Sequence, residues 1–422
     1  MPAKFLNEHC ACKTFDSEVL KTKLKSDELL KGLYQDIVET RPNLFSATTV
    51  FLSSQEMESI KQTIEAIERT LLHAEFKTSA LNRAPVWAQI DKGTSGVCMG
   101  YDFHLGPDGP RLIEVNTNAG GALLNLELAL AQVQCCQGMD VFFQYQEDLS
   151  TMDKVFFEMF KQEWTAQRGN EPLGLIAIVD ERPQEQYLYP EFQLFQRLFA
   201  KFGAKAVIAD PQELSFHDHK LWYKDQMVGM VYNRLTDFYL ETETNNPIKN
   251  AYLEDAIVLT PSPYHHALYA NKLNLVSLSS EADLQEMKID DETSKVLRKG
   301  IPETQEVTTA KTALLWEQRR SLFFKPVSGY GSKATYRGEK ITKRVWEEIL
   351  KAPYVAQALI PPGKRIIQDG KDRTDLKFDI RAYTYQGKIQ ILAARLYEGQ
   401  TTNFRTSGGG FAPVFVMNKE IG

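Results

Sequence analysis

The 422-residue chain has no basic excess. Its 49 Lys and Arg against 55 Asp and Glu give a formal net charge of −6, which speaks against a general nucleic-acid binder. It has no apolar run of membrane-spanning length, and Met1-Pro2-Ala3-Lys4 lacks the charge-then-apolar order of a secretory signal. Cysteines are few and odd in number, at five, so no disulfide framework is expected in what reads as a cytoplasmic protein. His9-Cys10-Ala11-Cys12 and Cys135-Cys136 could together ligate zinc or an iron–sulfur cluster, but their spacing is no recognised set, and buried or idle thiols are the plainer account. No internal repeat, low-complexity segment, Ser-His-Asp or Cys-His signature announces itself. What remains is ordinary globular composition, 43% hydrophobic and 25% charged, with length for two or three lobes.

The first ninety residues read as helical. Ser53 and Glu56 form a capping box ahead of Met57, Ile60, Ile64, Ile67 and Leu71, whose three- and four-residue steps mark one apolar helix face. From Val97 the pattern changes to two strands around a Gly-Pro-Asp-Gly turn, then helices over 123–134 and 152–167. Pro172 opens different material. An apolar run over 173–179, a helical pattern over 192–202 and a second strand over 206–209 make a βαβ start, read as a Rossmann-like lobe reaching to about residue 270. Strands follow over 321–326, 354–359, 378–385 and 389–396, with a helix over 342–350. The expected class is α/β with α+β character, divided at 1–171, 172–270 and 271–422.

Glu114 and Asn116 lie two apart on a predicted strand, so both face one side while Ile113 and Val115 face the other. A carboxylate beside an amide carbonyl suits magnesium, which takes a few protein oxygens and keeps other positions for water and phosphate. A hairpin loop over 106–110 would pair Leu105 with Arg111 and bring Asp102 opposite Glu114; a four-residue loop would turn Asp102 to the wrong face. A solvated surface hairpin is the bland alternative. Further on, Phe323 to Ser332 ends a strand on Lys325 and enters a loop bearing Gly329 and Gly331. There a lysine can lie along phosphates while glycines let backbone N–H groups approach them.

Arg381 and Arg395 on neighbouring strands, with Asn403 and Arg405 ahead of Gly408-Gly409-Gly410, supply the fixed guanidinium groups that stabilise a transferring phosphoryl group. A basic surface patch is the alternative, and Asp379 could orient Arg381 or approach the metal. In the middle lobe Arg234 could pair with a substrate carboxylate, oriented by Asn233 and Tyr189, or could form a structural ion pair with Asp237.

Taken together, these motifs resemble an ATP-grasp ligase whose last piece comes first. Asp379-Ile380-Arg381, Ala394-Arg395, Thr402-Asn403-Phe404-Arg405 and the triple glycine resemble the penultimate segment of that fold. Tyr101-Asp102-Phe103-His104 with Leu112-Ile113-Glu114-Val115-Asn116-Thr117-Asn118-Ala119-Gly120-Gly121 resembles the magnesium-binding strand pair that closes it. That order resembles the eukaryotic-type glutathione synthetases and glutathionylspermidine synthetase relatives, and implies a circularly permuted fold with an inserted substrate lobe.

The resemblance also implies ATP and Mg2+ as cofactors, Lys272 of Ala270-Asn271-Lys272 as a phosphate ligand, and adenine set against the main chain from Gln357 to Leu359; an edge strand ended by Pro361 and Pro362 is the competing account. Two residues depart from the family pattern: Lys333 stands in a loop that is richer in glycine there, and Gly329 stands where those enzymes carry a metal-binding glutamate. The implied reaction joins a small-molecule or peptide carboxylate to an amine through an acyl phosphate, releasing ADP and phosphate. The rivals are an ATP-grasp kinase and a catalytically silent ATP-binding module. No nucleic-acid or membrane partner is implied, and assembly as a homodimer is open. Permutation further predicts that 408–416 lies beside the 97–116 hairpin.

Overall fold

Ser53 closes its capping box in full: its hydroxyl accepts the Glu56 N–H at 3.1 Å, and the Glu56 carboxylate accepts the Ser53 N–H at 2.8 Å. The helix this starts, Ser54–Leu71, buries the apolar stripe Met57, Ile60, Ile64, Ile67 and Leu71 against one face of a seven-stranded sheet. This computed structural model describes residues 3–30, 32–131, 149–329, 334–369 and 372–417.

That sheet runs in the order Val50–Ser53, Gly410–Met417, Lys388–Tyr397, Asp372–Tyr385, Met99–Gly106, Gly109–Asn116, with Gly363–Asp369 also paired to Asp372–Tyr385. The N-terminal hairpin therefore completes a sheet of C-terminal strands, with Arg381 opposite Asp102 and Ile380 opposite Phe103. The neighbour differs from expectation. Asp372–Tyr385 adjoins the hairpin, and Gly410–Met417 is separated from it by two strands. The reason is the tight Gln386-Gly387 turn, both residues at positive φ, which welds Asp372–Tyr385 and Lys388–Tyr397 into one hairpin with two outer edges. One edge takes the N-terminal hairpin; the other takes Gly410–Met417. The strand Val50–Ser53, parallel to Gly410–Met417, was hidden in sequence because a continuous Val-Phe-Leu run has no alternation to betray it.

A four-stranded antiparallel sheet, Thr304–Glu306, Tyr354–Ala358, Leu322–Pro326 and Tyr336–Arg337, faces the first. The third sheet has a parallel core of Ala206–Ala209, Leu175–Val179, Gln226–Asn233 and Val258–Thr260, extended by the antiparallel pair Leu214–His217 and Lys220–Tyr223. Helix Tyr189–Lys201 makes the expected crossover. The 123–134 helix is seen as Ala122–Leu130; its expected end, with Cys135 and Cys136, lies outside the described residues.

One carboxylate ties these units together. Glu163, on helix Met152–Arg168 and fully buried, accepts from the backbone N–H of Ser95 at 2.8 Å and Gly96 at 3.0 Å, from Thr260 Oγ1 at 2.6 Å and from Tyr385 Oη at 3.0 Å. Arg365, also fully buried, donates to the carbonyls of Thr49, Asn7, Cys10 and Ile366 and to the Thr48 hydroxyl, fastening the N-terminal segment onto Gly363–Asp369.

Candidate active site

The hairpin turns on Pro107-Asp108, with Gly106 opposite Gly109 and Leu105 opposite Pro110. That register alone would set Asp102 against Ile113, its carboxylate facing away from Glu114. A bulge corrects it: Phe103 pairs with Leu112 but Asp102 with Glu114, leaving Ile113 as the extra residue. Asp102 thus meets Glu114 as expected, through a bulge instead of a five-residue loop. The Ile113 carbonyl, freed from the ladder, accepts from Lys325 Nζ at 2.8 Å.

Cross-strand register also builds the charged floor. Asp102 Oδ1 accepts from Arg381 Nε at 2.6 Å, and Oδ2 from Arg381 Nη2 at 2.6 Å, Arg395 Nη2 at 2.8 Å and Asn116 Nδ2 at 3.1 Å. Asp379, directly opposite Arg395, grips its Nε and Nη2 at 2.8 and 2.9 Å, and accepts from Thr402 Oγ1 at 2.5 Å. Asp102, Asp379 and Arg381 are buried. Burial alone would raise the Asp102 carboxyl, but the guanidiniums of Arg381 and Arg395 outweigh it and hold it at about 2.

Opposite this floor, Lys325 Nζ also donates to Gln357 Oε1 at 2.8 Å, and Gln357 Nε2 donates to Thr304 Oγ1 at 3.2 Å. Burial pushes the Lys325 ammonium down to about 8; Glu114 opposes this and Lys272 adds to it. Lys272 Nζ donates to the Gly329 carbonyl at 3.1 Å and lies 3.9 Å from Glu114.

These groups line a cleft between the first two sheets enclosing about 800 Å³, closed by Leu359, Ile360, Tyr397 and the 400–402 loop. A second cavity of about 2060 Å³ opens from it towards the middle lobe. Glu114, Lys272, Gly329, Arg395, Thr401 and Thr402 line both. Several buried polar atoms on the second cavity's wall have no hydrogen-bond partner among the described residues: Thr117 Oγ1, Tyr187 Oη, Arg234 Nε and both ring nitrogens of His266.

No family model matches the chain, and none of the curated proteins does. Among solved structures, a glutathione synthetase-like effector from Globodera pallida, in its apo form, superposes over 94% of this chain and 97% of its own at 12% identity and a TM-score of 0.55. The chain has a glutathione synthetase-like fold of the ATP-grasp type. Looser likenesses are a putative gamma-glutamylcysteine synthetase from Methylobacillus flagellatus, at 10% identity over 82% of this chain and 83% of that one with a TM-score of 0.46, and the ATP-grasp ligase PsnB with a minimal precursor, at 11% identity over 58% and 90% with a TM-score of 0.31.

Within this ATP-grasp-type frame, the first cleft gathers Asp102, Glu114, Lys272, Lys325, Gly329, Gln357, Leu359 and Arg395. The second gathers Asn116, Arg234, Arg381, Asn403 and Arg405 besides the shared residues. Tyr189 and Asn233 line neither. Tyr189 opens helix Tyr189–Lys201, while the buried Asn233 donates to the Pro261 carbonyl and accepts from Leu235 N–H. Gly331, with Lys333, lies outside the described residues. Asn403 turns inward on its own loop, donating to the carbonyls of Glu398 and Thr401 and accepting from Arg405 N–H. Arg234 faces Glu191 at 3.9 Å, not Asp237, which caps the backbone at Glu241 and Thr242.

Tyr354–Ala358 is flanked by strands on both sides, so it is not an edge. The amides of Ala358 and Leu359 donate to the Glu303 and Ser321 carbonyls. Sequence reasoning missed His104, Thr402 and the side chain of Gln357. For His104 a signal existed: it stands two residues from Asp102 on one strand, hence on the same face.

Among the described residues no group of three His, Cys, Asp or Glu could hold a metal; the magnesium test therefore falls on the oxygen set of the hairpin. Among the described residues the Asn116 side-chain oxygen accepts no hydrogen bond, and Glu114 Oε1 accepts one, from Asn116 Nδ2 at 3.3 Å, leaving Oε2 at 3.9 Å from Lys272 Nζ. Asp102 is mostly spent, since Oδ2 already accepts three bonds and only Oδ1 retains capacity. A carboxylate, an amide oxygen and one further carboxylate oxygen beside a phosphate-sized opening fit the ion.

Proposed function

We propose that the chain is an ATP-dependent carboxylate–amine ligase forming an amide or peptide-like bond through an acyl phosphate. The observation that carries this reading is the junction: a cleft lined by Lys325, Lys272 and Arg395 and a larger cavity with unmet polar groups open onto each other across Glu114, Lys272, Gly329 and Arg395. A phosphoryl group leaving the first cleft enters the second at those residues. The order of segments, with the hairpin at 99–116 completing a sheet of strands beyond 363, supports a circularly permuted arrangement.

In this mechanism Lys325 and Lys272 hold the phosphates. Glu114 and Asn116, with Asp102 Oδ1, would hold magnesium, which would supply neutralisation of phosphate charge. A substrate carboxylate oxygen attacks the terminal phosphorus and ADP leaves. The amine nitrogen then attacks the acyl carbon, phosphate leaves, and the amine proton passes to phosphate or solvent. Arg395, whose Nη1 makes no hydrogen bond among the described residues, steadies the transferring group; Arg381, which grips Asp102 through Nε and Nη2, keeps that carboxylate in place. No protein nucleophile is needed.

Carboxylate–amine pairs screened for ADP release, with mass detection of product, test the reading. With the matching acid, ATP, magnesium and hydroxylamine, a hydroxamate and ADP form together, and Arg395→Ala suppresses both by roughly 10²–10³-fold. A stable phosphorylated product without hydroxamate would mean a kinase, and absence of ADP with every pair a silent module.

A further inference from the structure

We infer that Tyr269 and Asn274 are positioning residues, which lock the turn His266–Ala270 in a π-helical form and thereby set Lys272 at the junction of the two cavities. The inference rests on reading Lys272 as a phosphate ligand. A π turn inserts one residue into a helix and is rare, so its presence here calls for contacts that hold it. The Asn271 N–H reaches back five residues to the His266 carbonyl at 3.1 Å. The next two amides do not continue that pattern: Lys272 N–H donates to the Val327 carbonyl at 3.3 Å and Leu273 N–H to Asn271 Oδ1 at 3.0 Å. The carbonyls of Ala267 and Leu268 lose those donors, and the buried side chain of Asn274 replaces them, its Nδ2 donating at 3.0 and 2.9 Å. Arg83 Nη2 in turn donates to Asn274 Oδ1 at 2.6 Å.

A second anchor comes from outside the turn. Tyr269 Oη donates to Glu68 Oε2 at 3.0 Å, and Tyr101 Oη donates to Glu68 Oε1 at 2.7 Å. Glu68 belongs to helix Ser54–Leu71, and Tyr101 is fully buried in strand Met99–Gly106. The turn is therefore tied both to the N-terminal helices and to the strand that carries Asp102.

Glu68, Arg83, Tyr269 and Asn274 line neither cavity, so their effect on the site runs through the chain they hold. Lys272 follows two residues after the turn and lines both cavities. Its amide docks on the Val327 carbonyl, and its Nζ on that of Gly329 at 3.1 Å. Relaxing the turn to α-helical geometry would rotate the chain beyond it by about 100°, one residue's share of a turn, and take Lys272 off both carbonyls.

The test is a cycle of calorimetric Mg-ATP affinities on the full chain: wild type, Tyr269→Phe, Lys272→Met and the double variant, with Asn274→Asp carried through the same cycle. Tyr269→Phe removes one hydroxyl, and Asn274→Asp keeps the shape and the acceptor for Arg83 while removing the donor to the two carbonyls. Each is expected to weaken Mg-ATP by at least about threefold, and by no more than about 10²-fold, the most that one hydrogen bond to a charged acceptor is worth. In the Lys272→Met background that loss disappears, which a merely structural defect would not do. A loss below about threefold in both variants, a loss equally large without Lys272, or the disappearance of cooperative thermal unfolding in Tyr269→Phe overturns the inference. If wild type binds no Mg-ATP, or Lys272→Met binds it as tightly as wild type, the phosphate reading beneath it falls instead.

Discussion

Replacing Asp102 by Asn puts the charged floor under direct strain. This carboxylate is the counter-ion of Arg381, which is 8% exposed and donates to it through both Nε and Nη2. Arg395 keeps Asp379 after the change, so the loss falls on Arg381. Removing one partner of a buried ion pair costs about 3–5 kcal/mol, because the other charge stays buried without compensation. At about 1.4 kcal/mol per tenfold, opening of the paired strands becomes roughly 10² to 4 × 10³ times more frequent. Hydrogen exchange read by mass spectrometry on peptides covering Met99–Gly106 and Asp372–Tyr385 measures this without any substrate. Adding Arg381→Met should restore much of the protection, since an apolar replacement of a whole pair is often neutral. Exchange within about threefold of wild type in Asp102→Asn, or no recovery in the double variant, would show that the pair does not hold these strands together.

The same pair sets an acid limit. The Asp102 carboxyl is held at about 2, below its ordinary 3.8, so its contribution is complete above about pH 4 and is lost as pH falls through about 2, readable as exchange of those peptides against pH. Lys325, pushed down to about 8 by burial, should lose its charge as pH rises, so Mg-ATP affinity falls above about pH 8 and Lys325→Arg flattens that slope in calorimetric titrations. Glu114→Gln should remove ADP release while leaving the thermal unfolding midpoint unchanged, because this side chain faces the cleft and supports no core; a shifted midpoint with normal turnover contradicts the metal assignment. Gly121→Ala should cost about 3 kcal/mol in thermal unfolding, since Gly121 sits at φ +106° and a Cβ would overlap the Phe411 ring and lie 2.7 Å from Tyr383 Oη.

What the sequence disclosed follows from where its signals are local. The capping box at Ser53, the apolar stripe of Ser54–Leu71 and the βαβ start at Leu175–Val179 are encoded within a few turns of chain, and periodicity finds them. Lys325, Glu114 and the arginines were legible because residue type and two-residue spacing constrain their chemistry. The bulge at Ile113 was not, since a turn of either length satisfies the same residues and only the closed sheet selects the register. Nor was the engagement of Asp102 by Arg381, which depends on a pairing across 279 residues of separation. The inward turn of Asn403 was hidden for a related reason: its amide donates to the carbonyls of its own loop, a choice set by local turn geometry.

The sheet that joins 99–116 to strands beyond 363 also dictates a timetable for biosynthesis. A ribosome delivers the Met99–Gly106 hairpin well before its partner Asp372–Tyr385 exists, and at about 5–20 residues per second the interval is many seconds. During that wait Tyr101, Phe103, Leu112 and Val115, all buried in the finished protein, have no sheet to enter. The nascent chain must carry an unpaired, apolar strand edge through most of its own synthesis, while the middle lobe, whose strands all fall between 175 and 260, can close early. Shielding by a chaperone during translation, and a slow last step on refolding from denaturant, are the expected signatures of a cleft that is assembled only when the two halves of its floor meet.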